Sequence, residues 1–310
     1  MSEESVLIVG TVSNVSNVLI KEFEKVFKSL IRFNSISTYL VESDSTDNTK
    51  EVLDELKRMY SNFEYAELGT LKNSIPDRIE RIRFCRNLYI KFIRDNVKEK
   101  NWEYIIVADL DGMNSKLTPD AVNSCFEDTP NWDACFANQK YGYYDLYALR
   151  HPEWMPGNCF DDLARENAKI PFKYFESSNL FLKTMALFIF DRARKVAIYD
   201  KMKILGVNSE WIKVQSAFGG LGIYKPKLLI ECNYDRVSVS QSLASEHVDI
   251  NAKLISKGYN LFINPNLINS NWNTYNVNRF LIIRLFRNFL RTNPNLRKLV
   301  KRFFGGGGGI

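Results

Sequence analysis

The chain has 310 residues, 45% hydrophobic and 25% charged, a composition that excludes a disordered or collagen-like protein. Its net charge of +6 is unevenly spread: residues 1–249 hold all 36 acidic residues against 32 basic ones, a charge of −4, whereas residues 250–310 hold ten basic residues and no acid. A mildly acidic body with a basic tail excludes a uniformly basic nucleic-acid wrapper, and no nucleic-acid partner is expected.

Val6 to Val12 reads as a strand, and the stretch through Leu30 as a helix, with Phe23, Val26, Phe27 and Leu30 at helical spacing. A second pair follows, with a strand over Ser37 to Val41, a polar loop over Glu42 to Asn48 and a helix over Thr49 to Tyr60. Such repetition predicts a parallel sheet covered on both faces. Asp77 to Lys98 is again helical in pattern, and Tyr104 to Ala108 is a continuous apolar strand that stops at Asp109. The aromatic segment Trp132 to Trp154 comes next, and Met185 to Phe190 reads as a short core segment. A glycine turn, Phe218-Gly-Gly-Leu-Gly222, leads into a strand to Lys225. Ser245-Glu-His-Val-Asp249 opens a helix that ends at Gly258, and a strand over Asn260 to Asn264 closes the body. Five scattered cysteines without a Cys-x-x-Cys pair read as buried thiols. No run is apolar enough to span a membrane, and Met-Ser-Glu-Glu at the start lacks the features of a signal peptide. The expectation is therefore a cytoplasmic protein.

Ligands of open α/β sheets gather beyond the carboxyl ends of the strands, where both Glu42-Ser-Asp44 and Asp109-Leu-Asp111 fall. Residues two apart in an extended segment point the same way, so Asp109 and Asp111 present two carboxylates to one side. Such a pair suits Mg²⁺ or Mn²⁺, which keeps waters and bridges carboxylates to a substrate's phosphates. Acidic groups at the end of the second strand can accept hydrogen bonds from a base edge or ribose, while the Ser/Thr/Asp cluster can equally cap the next helix.

In order, Val6 to Val12, Glu42 to Thr49, Arg83-Phe-Cys-Arg-Asn87 and Asp109 to Asp111 resemble the GT-A glycosyltransferases. Asn138-Gln139, Tyr143 to Arg150, Phe218 to Lys225 and Ser245 to Asp249 look like the fungal capsule-associated mannosyltransferases and their bacterial relatives, over about residues 5–270. The resemblance implies a GT-A, Rossmann-like α/β fold with a mostly parallel central sheet. It also implies a GDP- or UDP-linked sugar donor, Mn²⁺ or Mg²⁺ as cofactor, and a glycan or glycolipid acceptor. By resemblance, Thr11, Glu42 and Asp44 contact the nucleoside, Arg83 and Arg86 the diphosphate, and Asp109 and Asp111 the metal, with His247 as a further ligand; on the residues alone, Arg81, Arg83 and Arg86 can equally lie on an exposed helix face and His247 be a packed or exposed histidine. Glu246, or else Asp249, is the candidate base; in a retaining enzyme Glu246 would orient substrate instead. Asp145, in aromatic surroundings, needs a partner such as Arg150 or a sugar hydroxyl, and Gly219 and Gly220 let backbone approach a sugar, though a plain turn explains them equally well.

The expected organisation is a catalytic domain over residues 1–275, with a nucleotide half (1–115) and an acceptor and donor-sugar half (116–275). A basic amphipathic helical tail (276–304) and a Gly-rich end (305–310) follow. In the tail, Arg284, Arg287 and Arg291 share one face, and Arg297, Lys298, Lys301 and Arg302 oppose Leu296, Leu299, Val300, Phe303 and Phe304. That pattern suits an anionic membrane surface contacted through residues 278–304, and peripheral attachment on the cytoplasmic face; packing of the apolar face on the body is the alternative. Two other readings of the whole chain stand. Asp109-Leu-Asp-Gly112 also resembles the haloacid dehalogenase phosphatases, although Met113 occupies their Thr position, and a non-catalytic GT-A-like binding protein would share every motif.

Overall fold

Val6, Leu7, Ile8 and Val9 of the first strand, β1 (Ser5–Val12), are all fully buried, which requires cover on both faces of the sheet. Val6 and Ile8 pack with Phe23 and Val26 of α1 (Leu19–Ser29), whereas Leu7 and Val9 point to the opposite core with Tyr89 and Ile90 of α3 (Arg78–Lys100). Each such side chain contributes roughly 1.5–3 kcal/mol by leaving water. The computed structural model describes residues 4–127, 129–171, 180–236, 245–273, 275–280 and 282–284.

Around β1 lie β2 (Ser35–Glu42), followed by α2 (Thr49–Met59), then β3 (Phe63–Glu67) and β4 (Tyr104–Ala108). Further on come α4 (Pro119–Asn123), β5 (Ala134–Gln139), α5 (Cys159–Ala168), α6 (Leu180–Ala197), β6 (Ile212–Val214), β7 (Leu221–Tyr224), α7 (Pro226–Glu231), α8 (Glu246–Ser256) and β8 (Leu261–Ser270). The eight strands form one sheet in the order β3-β2-β1-β4-β7-β5-β8-β6. β1 to β4 are mutually parallel, β7 runs antiparallel between β4 and β5, β8 is parallel to β5, and β6 is an antiparallel edge. The α/β class and mostly parallel sheet therefore agree with the sequence reading. Because β1, β2 and β4 run the same way, the residues after Val12, Glu42 and Ala108 emerge along one edge.

The second half departs further from the sequence pattern. β8 continues to Ser270 rather than stopping at Asn264, because its asparagines find buried partners: Asn264 Nδ2 donates to Ser124 Oγ (3.0 Å) and Asn269 Nδ2 to the Gly219 carbonyl (2.8 Å). Met185 to Phe190 is not a core segment. It lies on α6, where Met185 and Phe188 are 38% and 48% exposed. All five cysteines are buried free thiols, as expected. Among the described residues no helix is long and apolar enough to cross a membrane.

The start of the tail also differs from expectation. Arg284 does not project toward a lipid surface; its guanidinium is buried and meets Asp191 of α6 through Nε–Oδ1 (2.6 Å) and Nη2–Oδ2 (2.9 Å). A planar fork matched to a carboxylate in this way is held by charge-assisted hydrogen bonds that an exposed arginine lacks. Residues 285–304, with the remaining tail residues of the amphipathic pattern, lie outside the described residues.

One buried acid ties α1 to the edge where ligands would gather. Glu22 Oε2 accepts from the Asn114 backbone N–H (2.8 Å), and burial pushes its carboxyl up to about 6, against the backbone N–H groups of Asn114 and Gly112 and with the Asp111 charge adding to the rise. A raised pKa means that the folded state holds the proton more tightly, so the stability Glu22 contributes is complete below its ordinary 4.5 and is lost as pH climbs through about 6. Urea unfolding of wild type and Glu22→Gln between about pH 4.5 and about pH 7 will show wild type losing stability relative to the variant; parallel curves would contradict this.

Candidate functional site

Beyond the carboxyl ends of β1, β2 and β4 opens a cleft of about 860 Å³. Thr11, Asp44, the first turns of α3, Asp109 to Asp111, Tyr144 to Tyr147, Phe218, Glu246, His247 and Tyr275 line it. Residues predicted from four separate motifs thus share one space, with Glu42, Arg83, Asp249, Arg150, Gly219 and Gly220 outside its lining.

The loop after β2 is held by its own side chains. Glu42 is fully buried; its Oε1 accepts from the Ser45 N–H (3.0 Å), and its Oε2 is buried without a partner. Asp44 sits in the left-handed region (φ 60°), accepts from the Lys72 N–H (2.9 Å) and pairs with Arg81 Nε (3.2 Å). Asp47 binds Ser16 and Thr49 through both oxygens, and these hydrogen bonds overcome burial to hold its carboxyl below the usual range. Asn48 precedes α2 without a side-chain cap bond, so Asp47 alone performs the capping.

Asp109 and Asp111 stand at the end of β4. Asp109 keeps 31% of its side chain accessible at the cleft, yet burial pushes its carboxyl up to about 7, with Arg86 opposing and Asp111 and Glu246 adding to the rise. Burial raises Asp111 as well. The loop that carries them is pinned on both sides: Asp109 N–H donates to the Gly220 carbonyl (3.0 Å), and Asn114 Nδ2 to the Asp109 carbonyl (2.5 Å). Asn269 Nδ2 in turn donates to Asn114 Oδ1 (3.1 Å), and Gln139 Nε2 to Asn269 Oδ1 (3.0 Å) and the Gly219 carbonyl (3.0 Å). Asn114 and Asn269 escaped the sequence reading because buried amides carry no periodic signal.

The two arginines expected at the diphosphate are already engaged. Arg86 is buried and spends all its nitrogens within the protein: Nε on Glu246 Oε1 (3.0 Å), Nη1 on Tyr89 Oη (3.1 Å) and Nη2 on Asp109 Oδ1 (3.3 Å). Arg83, also buried, bonds Asp249 through Nη2 and donates to the Tyr234 carbonyl through Nη1 (3.4 Å). The same pairs locate the two candidate bases. Asp249 is buried against Arg83, while Glu246 faces the cleft and is neutralised by Arg86.

His247 is 3% exposed and stacks on Phe218 (ring centroids 3.7 Å apart, planes 17°) with Tyr234 edge-on. Neither ring nitrogen has a hydrogen-bond partner among the described residues, and burial, reinforced by the Arg86 charge, holds the imidazole well below its usual pKa and hence neutral. No three His, Cys, Asp or Glu side chains among the described residues are grouped to hold a metal.

Asp145 accepts from the backbone N–H groups of Gly219 (3.0 Å) and Ala148 (3.2 Å). Burial still raises its pKa. These amides supply the hydrogen bonds expected from Arg150, whose Nη1 donates instead to the carbonyls of Tyr147 (3.2 Å) and Leu149 (2.6 Å). Gly219 and Gly220 have φ of 71° and 84°, and a Cβ on Gly219 would lie 2.7 Å from the Ala137 carbonyl oxygen. The turn therefore needs glycine for its own packing.

No protein-family model and no curated protein matches the chain. Solved structures that are similar to it include the mannosyltransferase PcManGT from Pyrobaculum calidifontis in complex with GDP-Man and Mn²⁺. That structure is 10% identical, with a TM-score of 0.45, over 92% of this chain and 64% of that one. S. aureus TarS 1–349 is 13% identical over 84% of this chain and 57% of that one (TM-score 0.37). The inositol-1-phosphate CTP transferase from T. maritima is 10% identical over 94% and 98% (TM-score 0.42). The chain spans less than two thirds of the mannosyltransferase and of TarS, and the likeness is one of α/β layout alone.

Removing one partner of a buried ion pair strands the other charge and typically costs about 3–5 kcal/mol. Arg86→Ala leaves both Glu246 and Asp109 unpaired, and is expected to lower the unfolding free energy by about that amount in urea titrations. A guanidinium reserved for substrate would leave stability unchanged on removal.

Proposed function

We propose that the protein is a metal-dependent glycosyltransferase that moves a sugar, mannose being the candidate, from a GDP- or UDP-linked donor to a glycan or lipid-linked glycan in surface polysaccharide or glycoconjugate synthesis. The observation that carries the reading is the Asp109–Asp111 pair: two carboxylates whose pKa values are raised by burial, at the end of a central strand and open to a cleft large enough for a nucleotide sugar. Hard oxygen donors in that number fit Mn²⁺ or Mg²⁺, which takes one or two carboxylates and leaves its other positions to water and phosphate. When bound, such an ion neutralises charge on the departing diphosphate.

The chain's own residues are assigned by position. Thr11 and Asp44 line the end of the cleft beyond β1 and β2, where a base or ribose would meet them, and the buried Glu42, outside the lining, shapes their loop through the Ser45 N–H. Asp145, fixed by two backbone amides beside Gly219, suits a sugar hydroxyl, as does the neutral, unpartnered imidazole of His247. Glu246, held by Arg86 at the cleft, orients the acceptor or takes its proton. The motif order that resembles the fungal capsule-associated family makes mannose the candidate sugar, and the tail over residues 278–304 suits an acceptor on an anionic membrane, although Arg284 is committed to Asp191.

With Mn²⁺ present, wild type should release nucleotide from GDP-mannose or a UDP-sugar, and Asp111→Asn should slow it by about 100-fold or more. Turnover that persists both in chelator and in the variant would sink the metal assignment. For the tail, sedimentation with phosphatidylserine vesicles should fall when Arg287, Arg291, Arg297, Lys298, Lys301 and Arg302 are changed to Gln, since each basic residue near such a surface adds about 1 kcal/mol. Equal binding by the neutralised protein would refute attachment through this segment.

A further inference from the structure

We propose that Arg78, rather than Arg83 or Arg86, is the residue of this chain that receives the donor's diphosphate, and that Arg83 and Arg86 are positioning residues for the acids around it. The inference rests on the nucleotide-sugar reading and says which cation serves it.

The argument is one of charge accounting inside the cleft. Six carboxylates line it (Asp44, Asp77, Asp109, Asp111, Asp145 and Glu246), against the guanidinium groups of Arg78, Arg81 and Arg86, and no lysine lines it among the described residues. A diphosphate entering such a space meets net negative charge unless an uncommitted cation faces it. Each nitrogen of Arg86 is already engaged, by Glu246, Tyr89 and Asp109. Arg81 is bound to Asp44 and to the carbonyls of Ile75 (2.8 Å) and Pro76 (2.7 Å). Arg83 does not line the cleft and is held by Asp249. Arg78 alone of the three lining arginines makes no hydrogen bond or ion pair among the described residues, and it is exposed. It occupies the first position of α3, directly after the N-cap Asp77, whose side chain accepts from the Glu80 N–H (2.9 Å) and so fixes where Arg78 leaves the helix.

Its place relative to the carboxylate pair is suited to the task. The Arg78 charge is near enough to Asp111 to counter part of the rise that burial gives that carboxyl, and it acts in the same sense on Tyr275 at the cleft. A diphosphate bridging a cation on Asp109 and Asp111 to the Arg78 fork would be met from two sides, and a planar guanidinium can take two phosphate oxygens at once. Arg83 and Arg86 are committed to acids: Arg83 holds Asp249 from outside the lining, and Arg86, at the cleft, holds Glu246 and Asp109.

The test is calorimetric titration of GDP, UDP, guanosine and uridine into the full-length protein with MnCl₂ at low ionic strength, for wild type, Arg78→Ala and Arg78→Lys. The expected result is a loss of about tenfold or more in nucleoside diphosphate affinity for Arg78→Ala, with partial recovery for Arg78→Lys because ammonium keeps the charge without the fork. Binding of the nucleoside that pairs with the preferred diphosphate should be unchanged in both variants. Because Arg78 is exposed and unpaired, thermal unfolding of the variants should match wild type, so lost binding reports lost contact. Nucleoside diphosphate binding equal to wild type in Arg78→Ala overturns the inference, as does a parallel loss of nucleoside affinity, which would make the effect one of general distortion. Wild type that binds neither GDP nor UDP would instead refute the nucleotide-sugar reading.

Discussion

A single buried guanidinium, that of Arg86, joins three parts of the chain that are far apart in sequence. It rises from α3, contacts Glu246 at the first position of α8, and reaches Asp109 at the end of β4. Arg83, one turn earlier on α3, does the same for Asp249 one turn later on α8. Two parallel bridges between the same two helices fix both the separation and the rotation of α8 against α3, which one bridge would not. Placing His247 between Glu246 and Asp249 then determines where the imidazole lies: stacked on Phe218 with Tyr234 at its edge, where burial, reinforced by the Arg86 charge, keeps it neutral.

That arrangement carries a cost that is met locally. Burying several charges is unfavourable unless each has a partner, and Tyr89 and Tyr234 complete the set, their hydroxyls 2.9 Å apart with Tyr89 Oη also receiving Arg86. Asp109 shares Arg86 with Glu246 and faces Asp111; burial raises its pKa, Arg86 opposes the rise, and Asp111 and Glu246 add to it. On the proposed reading, a divalent ion at the cleft would relieve it.

The first hundred residues were legible from the sequence because their elements obey simple periodicities. β4 has the predicted bounds, and α2 and α3 differ from expectation by one or two residues at their ends. β3 was missed because Phe63 is the one fully buried side chain in an otherwise partly exposed edge strand, so it shows no apolar run. The identity of the cleft residues was legible where two side chains must point the same way, as at Asp109 and Asp111. It was not legible for the arginines: Arg83 and Arg86 have the spacing of an exposed helix face, and their partners lie 166 and 160 residues away. Burial of a charge is decided by its long-range partner, and a local pattern cannot show it.

The unequal spread of charge along the chain takes on a different meaning once these pairs are placed. Six of the body's 36 acidic residues line one cleft, and only Arg86 and Arg81 there are matched to them. The basic tail is not wholly separate either, since Arg284 closes on Asp191 and Asn278 reaches the cleft lining. Charge neutralisation inside the fold thus follows specific buried pairs, and what remains after the pairs are counted is an excess of carboxylate around Asp109 and Asp111 with one unmatched guanidinium at Arg78. On the proposed reading, an excess of that sign suits a ligand that brings its own cation, and the lone guanidinium suits one with an anionic group to place against it. A metal-chelated diphosphate satisfies both requirements in one ligand.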